Sequence, residues 1–123
     1  MAPESKTPTY PKGSRFAVAP ERRPAPRSGS FESETGFQAW VVGCGLTFGW
    51  KVYHTHDSRH SEEGFPDLVM LRGERMIVAE LKVGGKVPTR AQVDWLLAFS
   101  RVAGSECYLW DETDRDVIER TLA

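Results

Sequence analysis

The alternation of hydrophobic and polar positions is clearest between residues 64 and 82, which read GFPDLVMLRGERMIVAELK. Two apolar runs, 68–72 and 75–81, are rich in β-branched residues and are separated only by Gly73-Glu74. A two-residue loop with glycine in first place is typical of a tight β-hairpin. We therefore predict that these two runs form an antiparallel strand pair.

The short loop also fixes which side chains of the hairpin face each other. By this register Asp67 faces Glu80, so two carboxylates lie side by side. Lys82 falls on the same face as Glu80, whereas the opposite face is apolar at Ile77, Ala79, Leu81 and Val83. Opposed carboxylates destabilise a strand pair unless a cation lies between them, which favours a divalent cation with oxygen ligands. The alternative is a surface salt pair between Glu80 and Lys82 on an edge strand.

The rest of the pattern predicts the other elements of a small α/β domain. Apolar residues recur at three- and four-residue steps after Ser33, a plausible helix N-cap, and Gly49-Trp50 ends this first helix. Three glycines in it require tertiary packing or a close backbone approach. The later elements are a strand at 51–55, a polar loop at 56–64, the hairpin, a helix that starts at Pro88-Thr89 and closes at Ala103-Gly104, a strand at 106–110, and a short helix or frayed tail at 113–122.

Composition divides the chain into two parts. With 123 residues and 40% hydrophobic content, it can build one domain with one modest core. Residues 1–30 hold six of the eight prolines and carry six basic against two acidic residues. We predict a disordered tail of net charge +4 that either grips phosphates or acts only as a solubilising leader, followed by a domain of net charge −5 over residues 31–123.

No apolar run of about 18 residues and no signal peptide is visible, so a cytoplasmic protein is expected. Cys44 and Cys107 have neither the number nor the spacing of a zinc site or a disulfide scaffold. They are expected to be reduced core thiols, although pairing across the fold is the alternative.

Three histidines and an arginine come shortly before the acidic pair, with His54 in the predicted strand and His56, Arg59 and His60 in the polar loop. A zinc site is one interpretation, but no thiol accompanies these residues and their spacing fits no structural-zinc pattern. The second is that Arg59, with His54, His56 and Lys51, contacts backbone phosphates. The third is that these are plain solvent-exposed loop residues.

Pro66-Asp67 followed by Glu80-Leu81-Lys82 resembles the PD-(D/E)xK signature of the restriction-endonuclease-like nucleases. The wider context, GFPDLVMLR and then AELK, is similar to the virus-type replication-repair nuclease (VRR-NUC) branch of that superfamily, especially its small stand-alone phage members. The similarity extends over residues 33–112 and includes Ser33-Glu34, Phe37 and Gln92. It implies an αβββαβ core, with a mixed sheet flanked by helices, and a location in the host cytoplasm if a phage encodes the chain.

The resemblance also implies a chemistry. Asp67 and Glu80 match the acids that bind Mg²⁺ or Mn²⁺, Leu81 matches the residue that adds a backbone carbonyl, and Lys82 matches the lysine that helps to activate the attacking water. Glu34 matches the acid of the first helix, which would act through water or a second ion. Its alternative is an acid that favours the helix dipole.

Gln92 matches the family's glutamine, which would orient the Lys82 side or a substrate phosphate. Thr89 and Gln92 also have the spacing of a capping box, which is a complete structural explanation and competes with the functional role. Trp95, in the same helix, is interpreted as a core residue rather than as a platform for stacking bases. Lys86, in the basic Gly84-Gly85-Lys86 turn, joins Lys51, His54, His56 and Arg59 among the expected DNA contacts.

The expected function is therefore metal-dependent hydrolysis of DNA phosphodiester bonds, on branched DNA such as a four-way junction or flap, by a homodimer and without a small-molecule cofactor. The apolar surface for a dimer would come from Trp40, Tyr108 and Trp110. The alternative is a catalytically silent nuclease-like module that binds DNA or a replication protein. If the chain were such a module, a catalytic group should be missing, whereas Asp67, Glu80 and Lys82 are all present.

Overall fold

A computed structural model describes residues 33–56 and 60–123 of the chain. The predictions made for the tail at 1–30 and for Arg59 therefore lie outside the described residues. Within the described part, the elements in chain order are α1 (Glu34–Thr47), β1 (Lys51–His54), β2 (Leu68–Arg72), β3 (Arg75–Lys82), α2 (Arg90–Ser100), β4 (Ser105–Asp111), a 3₁₀ turn (Glu112–Asp114) and α3 (Arg115–Leu122).

The four strands form one mixed sheet in the order β1-β2-β3-β4. β1, β2 and β3 pair antiparallel, and β3 pairs parallel with β4, which requires a crossover that α2 supplies. The hairpin register is the predicted one, with Arg72 opposite Arg75 and Val69 opposite Val78. The α/β class, with helices on a mixed sheet, is confirmed.

Two hydrophobic clusters cover the two faces of the sheet. The larger one packs α1 and α3 against the predicted apolar face of β3, and its fully buried members include Phe37, Ile77, Ala79 and Ile118. The smaller one packs α2 on the other face through Leu96, Val78, Cys107 and Leu109.

This packing decides between the two alternatives for the C-terminal segment and corrects the expectation for Trp110. Ile118 and Leu122 are both fully buried, so residues 115–122 form a packed helix and not a frayed tail. Trp110 is only 2% exposed, because it lies on the α1 and α3 face of β4. It therefore contributes no surface for a dimer, whereas Trp40 and Tyr108 are half-buried.

The first helix is held as its composition demands. Ser33 caps it by accepting a hydrogen bond from the Gly36 N–H (2.9 Å). Gly45 lies directly against the Met70 side chain, and a Cβ there would also approach the Val52 methyl at 3.2 Å. The glycine that costs helix propensity is therefore required for α1 to approach β1 and β2 closely.

Both cysteines are free thiols, as expected. Cys44 packs with the larger cluster and Cys107 belongs to the smaller one, so the sheet lies between them. Among the described helices, none is long and apolar enough to cross a membrane.

Candidate active site

A cleft of about 330 Å³ opens at the end of β3 where the predicted acidic pair lies. It brings together all six residues that the resemblance assigns to the chemistry: Glu34, Asp67, Glu80, Leu81, Lys82 and Gln92. The other described residues that line it are Thr35, Gln38, Thr55, His56, Ser61, Glu62, Gly64 and Phe65. Helix α1, the loop before β2, strand β3 and helix α2 thus each contribute to one site.

Asp67 is fixed by the two strands on either side of it. Its backbone carbonyl accepts a hydrogen bond from the Thr55 N–H (3.0 Å), which extends the β1–β2 pairing by one step. Its Oδ2 accepts a hydrogen bond from the Leu81 N–H (2.9 Å). Burial raises the pKa of the Asp67 carboxyl, against the lowering effect of this hydrogen bond.

Glu80 is the most constrained acid of the cleft. It is 2% exposed, and its Oε2 accepts a hydrogen bond from Gln92 Nε2 (2.7 Å) and lies 3.4 Å from Lys82 Nζ. Its Oε1 is buried and has no hydrogen-bond partner among the described residues. Burial, and secondarily the neighbouring Asp67 charge, raise the pKa of Glu80 to about 8. A buried, unsatisfied carboxylate oxygen is costly unless a proton or a cation accompanies it.

Gln92 belongs to the helix cap and to the cleft at once. Its Oε1 accepts a hydrogen bond from the Thr89 N–H (2.8 Å), and its own N–H donates to the Thr89 hydroxyl (3.2 Å), which completes the capping box of α2. Its Nε2 remains available and donates to Glu80. The cap and the site therefore use opposite atoms of one amide, so they do not compete. Within the cleft, the side chain that Gln92 contacts is Glu80, and its role toward the Lys82 side or a substrate phosphate stays a prediction.

Leu81 and Lys82 complete the cleft floor. The Leu81 side chain is 1% exposed and packs in the larger cluster, so Leu81 lines the cleft through its main chain. The Lys82 side chain is 13% exposed, and its ammonium is directed at Glu80. The turn that follows is held by Glu112, whose carboxylate accepts hydrogen bonds from the Gly84 N–H (3.1 and 3.3 Å).

Glu34 approaches the site from the first turn of α1. It is exposed, lines the cleft, and its charge contributes to the raised pKa of Asp67. No group of three or more His, Cys, Asp or Glu side chains within residues 33–56 and 60–123 is arranged to hold a metal ion. The inner acids of the cleft are thus a pair, Asp67 and Glu80, with Glu34 further out.

The predicted phosphate contacts do not all lie at the cleft. His56 lines it. His54 lies behind it, with its Nδ1 3.5 Å from Gln38 Nε2 and its ring centroid 4.2 Å from that of His56. Lys51 is at the opposite end of β1, paired with Leu71 next to the hairpin loop.

Lys86 is exposed in the turn after β3 but does not line the cleft. The turn that carries Lys86 is close in sequence to Lys82 and Gln92, and both of these residues line the cleft.

Sequence reasoning missed the aromatic side of the site. Phe65 lines the cleft and packs against Trp95 and Phe99. Gly64 adopts φ +84°, and a Cβ there would lie 2.6 Å from the Ala91 backbone. Trp95 and Phe99 are four residues apart on α2, and this spacing indicated a contact between them. It did not indicate that the loop carrying Phe65 would pack on them.

No model of a known protein family, no curated protein and no solved structure matches the chain. The chemistry of the site thus has to be inferred from its own groups. Two adjacent carboxylates, the half-buried Asp67 and the buried Glu80, together with a backbone segment and a lysine, can hold a divalent cation and can orient or deprotonate a water molecule.

Proposed function

We propose that this chain is a metal-dependent DNA endonuclease of the VRR-NUC branch of the PD-(D/E)xK superfamily, with the restriction-endonuclease-like αβββαβ core. The observation that carries the proposal is the unpartnered, buried Oε1 of Glu80 beside Asp67. Folding places this oxygen where no hydrogen-bond donor among the described residues reaches it. A protein keeps such an arrangement at a functional site more readily than elsewhere.

The residues fit a divalent cation with oxygen ligands. Asp67, Glu80 and the Leu81 carbonyl would hold Mg²⁺ or Mn²⁺, and Glu34 would add to the negative charge nearby. The described cleft-lining side chains comprise four carboxylates, with Glu62 the fourth, against one lysine. A phosphodiester would be repelled by this charge unless a cation were bound first. When bound, such a cation supplies polarisation of the scissile phosphate and a more acidic attacking water.

Lys82 supports hydrolysis by its position. Its nitrogen is 3.4 Å from Glu80 Oε2 and partly open to the cleft. As an ammonium, it can orient the attacking water or offset the charge that develops on the phosphate, whereas only its neutral amine form could take the proton of the water. The Gln92 side-chain amide donates a hydrogen bond to Glu80, and the capping box fixes Gln92 in turn. Glu80 is thus restrained from α2 as well as from its own strand.

The proposed substrate is branched DNA, a four-way junction or a flap, and the proposed assembly is a homodimer. Both follow from the resemblance to small stand-alone members of the family. His56 at the cleft and Lys86 in the turn after β3 support contacts to the DNA backbone, since both side chains are exposed.

The test is a cleavage assay on end-labelled four-way junction, flap, linear duplex and single-stranded DNA, in Mg²⁺, Mn²⁺ or EDTA. Cleavage is expected only with a metal and is expected to fall by at least about 100-fold in Lys82→Ala, which removes a group that acts on the reacting atoms. Glu74→Gln is the matched control, because Glu74 is an exposed acid in the hairpin loop, outside the cleft.

Isothermal titration with Mn²⁺ gives a readout that does not depend on turnover. Binding by the wild type that is lost in Glu80→Gln but kept in Glu74→Gln supports the cation site. Tight DNA binding without cleavage under any metal would instead favour the silent binding module.

A further inference from the structure

Phe65 and Asp67 both line the cleft, although they are separated by only one residue. Pro66 between them is fully buried. This is the alternation of an extended segment, in which positions i and i+2 share a side. Two residues of extended chain span about 6–7 Å. The Phe65 ring is therefore carried on the same short stretch of chain, and in the same cleft, as the proposed metal ligand Asp67.

The Phe65 ring is held in a defined orientation from behind. It meets Trp95 edge-to-face at 5.0 Å and 74°, and it meets Phe99 in the same way at 6.0 Å and 74°. Trp95 is itself fixed, because its indole N–H donates to the Glu63 carbonyl (3.1 Å). The two rings of α2 thus support Phe65 on the side away from the cleft.

Phe65 is chemically distinct from the rest of the cleft. Among the described residues that line it, Phe65 is the one with a large apolar side chain directed there, since Leu81 lines it through its main chain. The rest of the lining is acidic or polar. A cation site for a phosphate beside one aromatic surface matches the two halves of a nucleotide, the charged backbone and the planar base.

We infer that Phe65 is a stacking platform for the nucleobase next to the scissile phosphate. A base inside a continuous duplex has both faces covered by its neighbours, so it cannot use the platform without being unstacked. A base at a branch point, nick, gap or flap has a free face. The platform thus makes the cleft selective for DNA in which stacking is interrupted beside the cut. This inference rests on the proposed nuclease function and adds the feature of DNA that the site recognises.

The test compares binding of the full-length chain to two labelled DNAs of identical sequence, one a continuous duplex and one a flap. Fluorescence anisotropy in Ca²⁺ measures both affinities, and cleavage rates in Mg²⁺ are measured in parallel. Stacking on one aromatic ring contributes roughly 5- to 100-fold to affinity. We expect the wild type to prefer the flap by about that factor and Phe65→Leu to lose the preference, chiefly through weaker flap binding. Phe65→Tyr, which keeps an aromatic ring at this position, should retain the preference for the flap.

Phe99→Leu is the matched control, since it removes a ring from the supporting cluster and leaves the cleft surface of Phe65 in place. A 2-aminopurine at the first unpaired flap position adds a direct signal, because stacking on Phe65 should quench its emission in the wild type, in Phe65→Tyr and in Phe99→Leu, but not in Phe65→Leu.

Two failures are distinguishable. If the wild type cuts DNA with metal but Phe65→Leu and Phe65→Tyr keep an unchanged flap preference, the platform is refuted while the nuclease stands. If the wild type prefers the flap through Phe65 but no metal supports cleavage, the platform stands and the nuclease fails. A wild type that binds both DNAs equally refutes the platform outright.

Discussion

Replacing Glu80 by glutamine should stabilise the metal-free protein at neutral and alkaline pH. The pKa of Glu80 is raised from its ordinary value of 4.5 to about 8, so between these values the folded chain binds a proton that the unfolded chain releases. The free energy of unfolding must therefore fall as the pH rises from about 4.5 to about 8. Asp67, whose pKa is also raised, acts in the same direction.

The size of the effect follows from the shift. Each pKa unit is worth about 1.4 kcal/mol, so Glu80 costs the folded state about 3 kcal/mol at pH 7 and up to about 5 kcal/mol above pH 8. Glutamine has nearly the same shape and no charge, and it can still accept a hydrogen bond from Gln92. Glu80→Gln should thus be more stable than the wild type by a few kcal/mol at pH 8.5 and nearly equal to it at pH 4.5.

The assay is urea unfolding in EDTA between pH 4.5 and pH 9, followed by tryptophan fluorescence. Glu106→Gln is the matched control, because Glu106 is also buried in this sheet but accepts hydrogen bonds from Arg75 (2.7 and 2.8 Å) and from the Tyr108 hydroxyl (3.1 Å). Its replacement should destabilise the protein by about 2–3 kcal/mol at pH 8.5. The reasoning is refuted if Glu80→Gln destabilises as much as Glu106→Gln, or if wild-type stability does not change between pH 5 and pH 8.

Three further outcomes are expected. Gly45→Ala should lower stability by about 1–3 kcal/mol in thermal or urea unfolding, because its Cβ would overlap the Met70 side chain, whereas Gly43→Ala has open space and should be neutral or stabilising by up to about 1 kcal/mol. Cys107, which is buried and whose pKa is raised to about 11 by burial, should resist thiol reagents at pH 8 until the protein unfolds; rapid native labelling would contradict this. Gln92→Leu should lose about 1–2 kcal/mol of stability through the cap and at least tenfold in cleavage rate through Glu80, and an unchanged rate would remove Gln92 from the site.

The parts of the fold that follow from short-range rules could be predicted from the sequence. The two-residue hairpin loop fixes which residues of β2 and β3 pair. The prediction that Asp67 lies opposite Glu80 therefore needed no knowledge of any other contact. The Thr89 cap was equally local. Both depend on spacings of a few residues, which the sequence states directly.

The parts that depend on distant packing could not be predicted in the same way. Trp110 was expected at a surface, but α1 and α3 cover that face of β4, and no local pattern says which helix covers an edge strand. The expected Lys51 contact was misplaced at the cleft because a strand position alone does not tell which end of the sheet carries the site. The second bond of Gln92 likewise arises where α2 meets strand β3, 12 residues earlier in the chain. The support of Phe65 arises where α2 meets a loop about 30 residues away.

The hairpin that carries Asp67 and Glu80 has a consequence for the rate of folding. Its strands are joined by the shortest loop in the domain, and hairpins form in about 1–10 μs, before a parallel pair such as β3 and β4 can close across α2. The repulsion between the two carboxylates thus arises early, ahead of the Gln92 contact that restrains Glu80. At alkaline pH the acidic pair should therefore slow refolding as well as weaken the native state, so the conflict between the two acids is also a kinetic barrier.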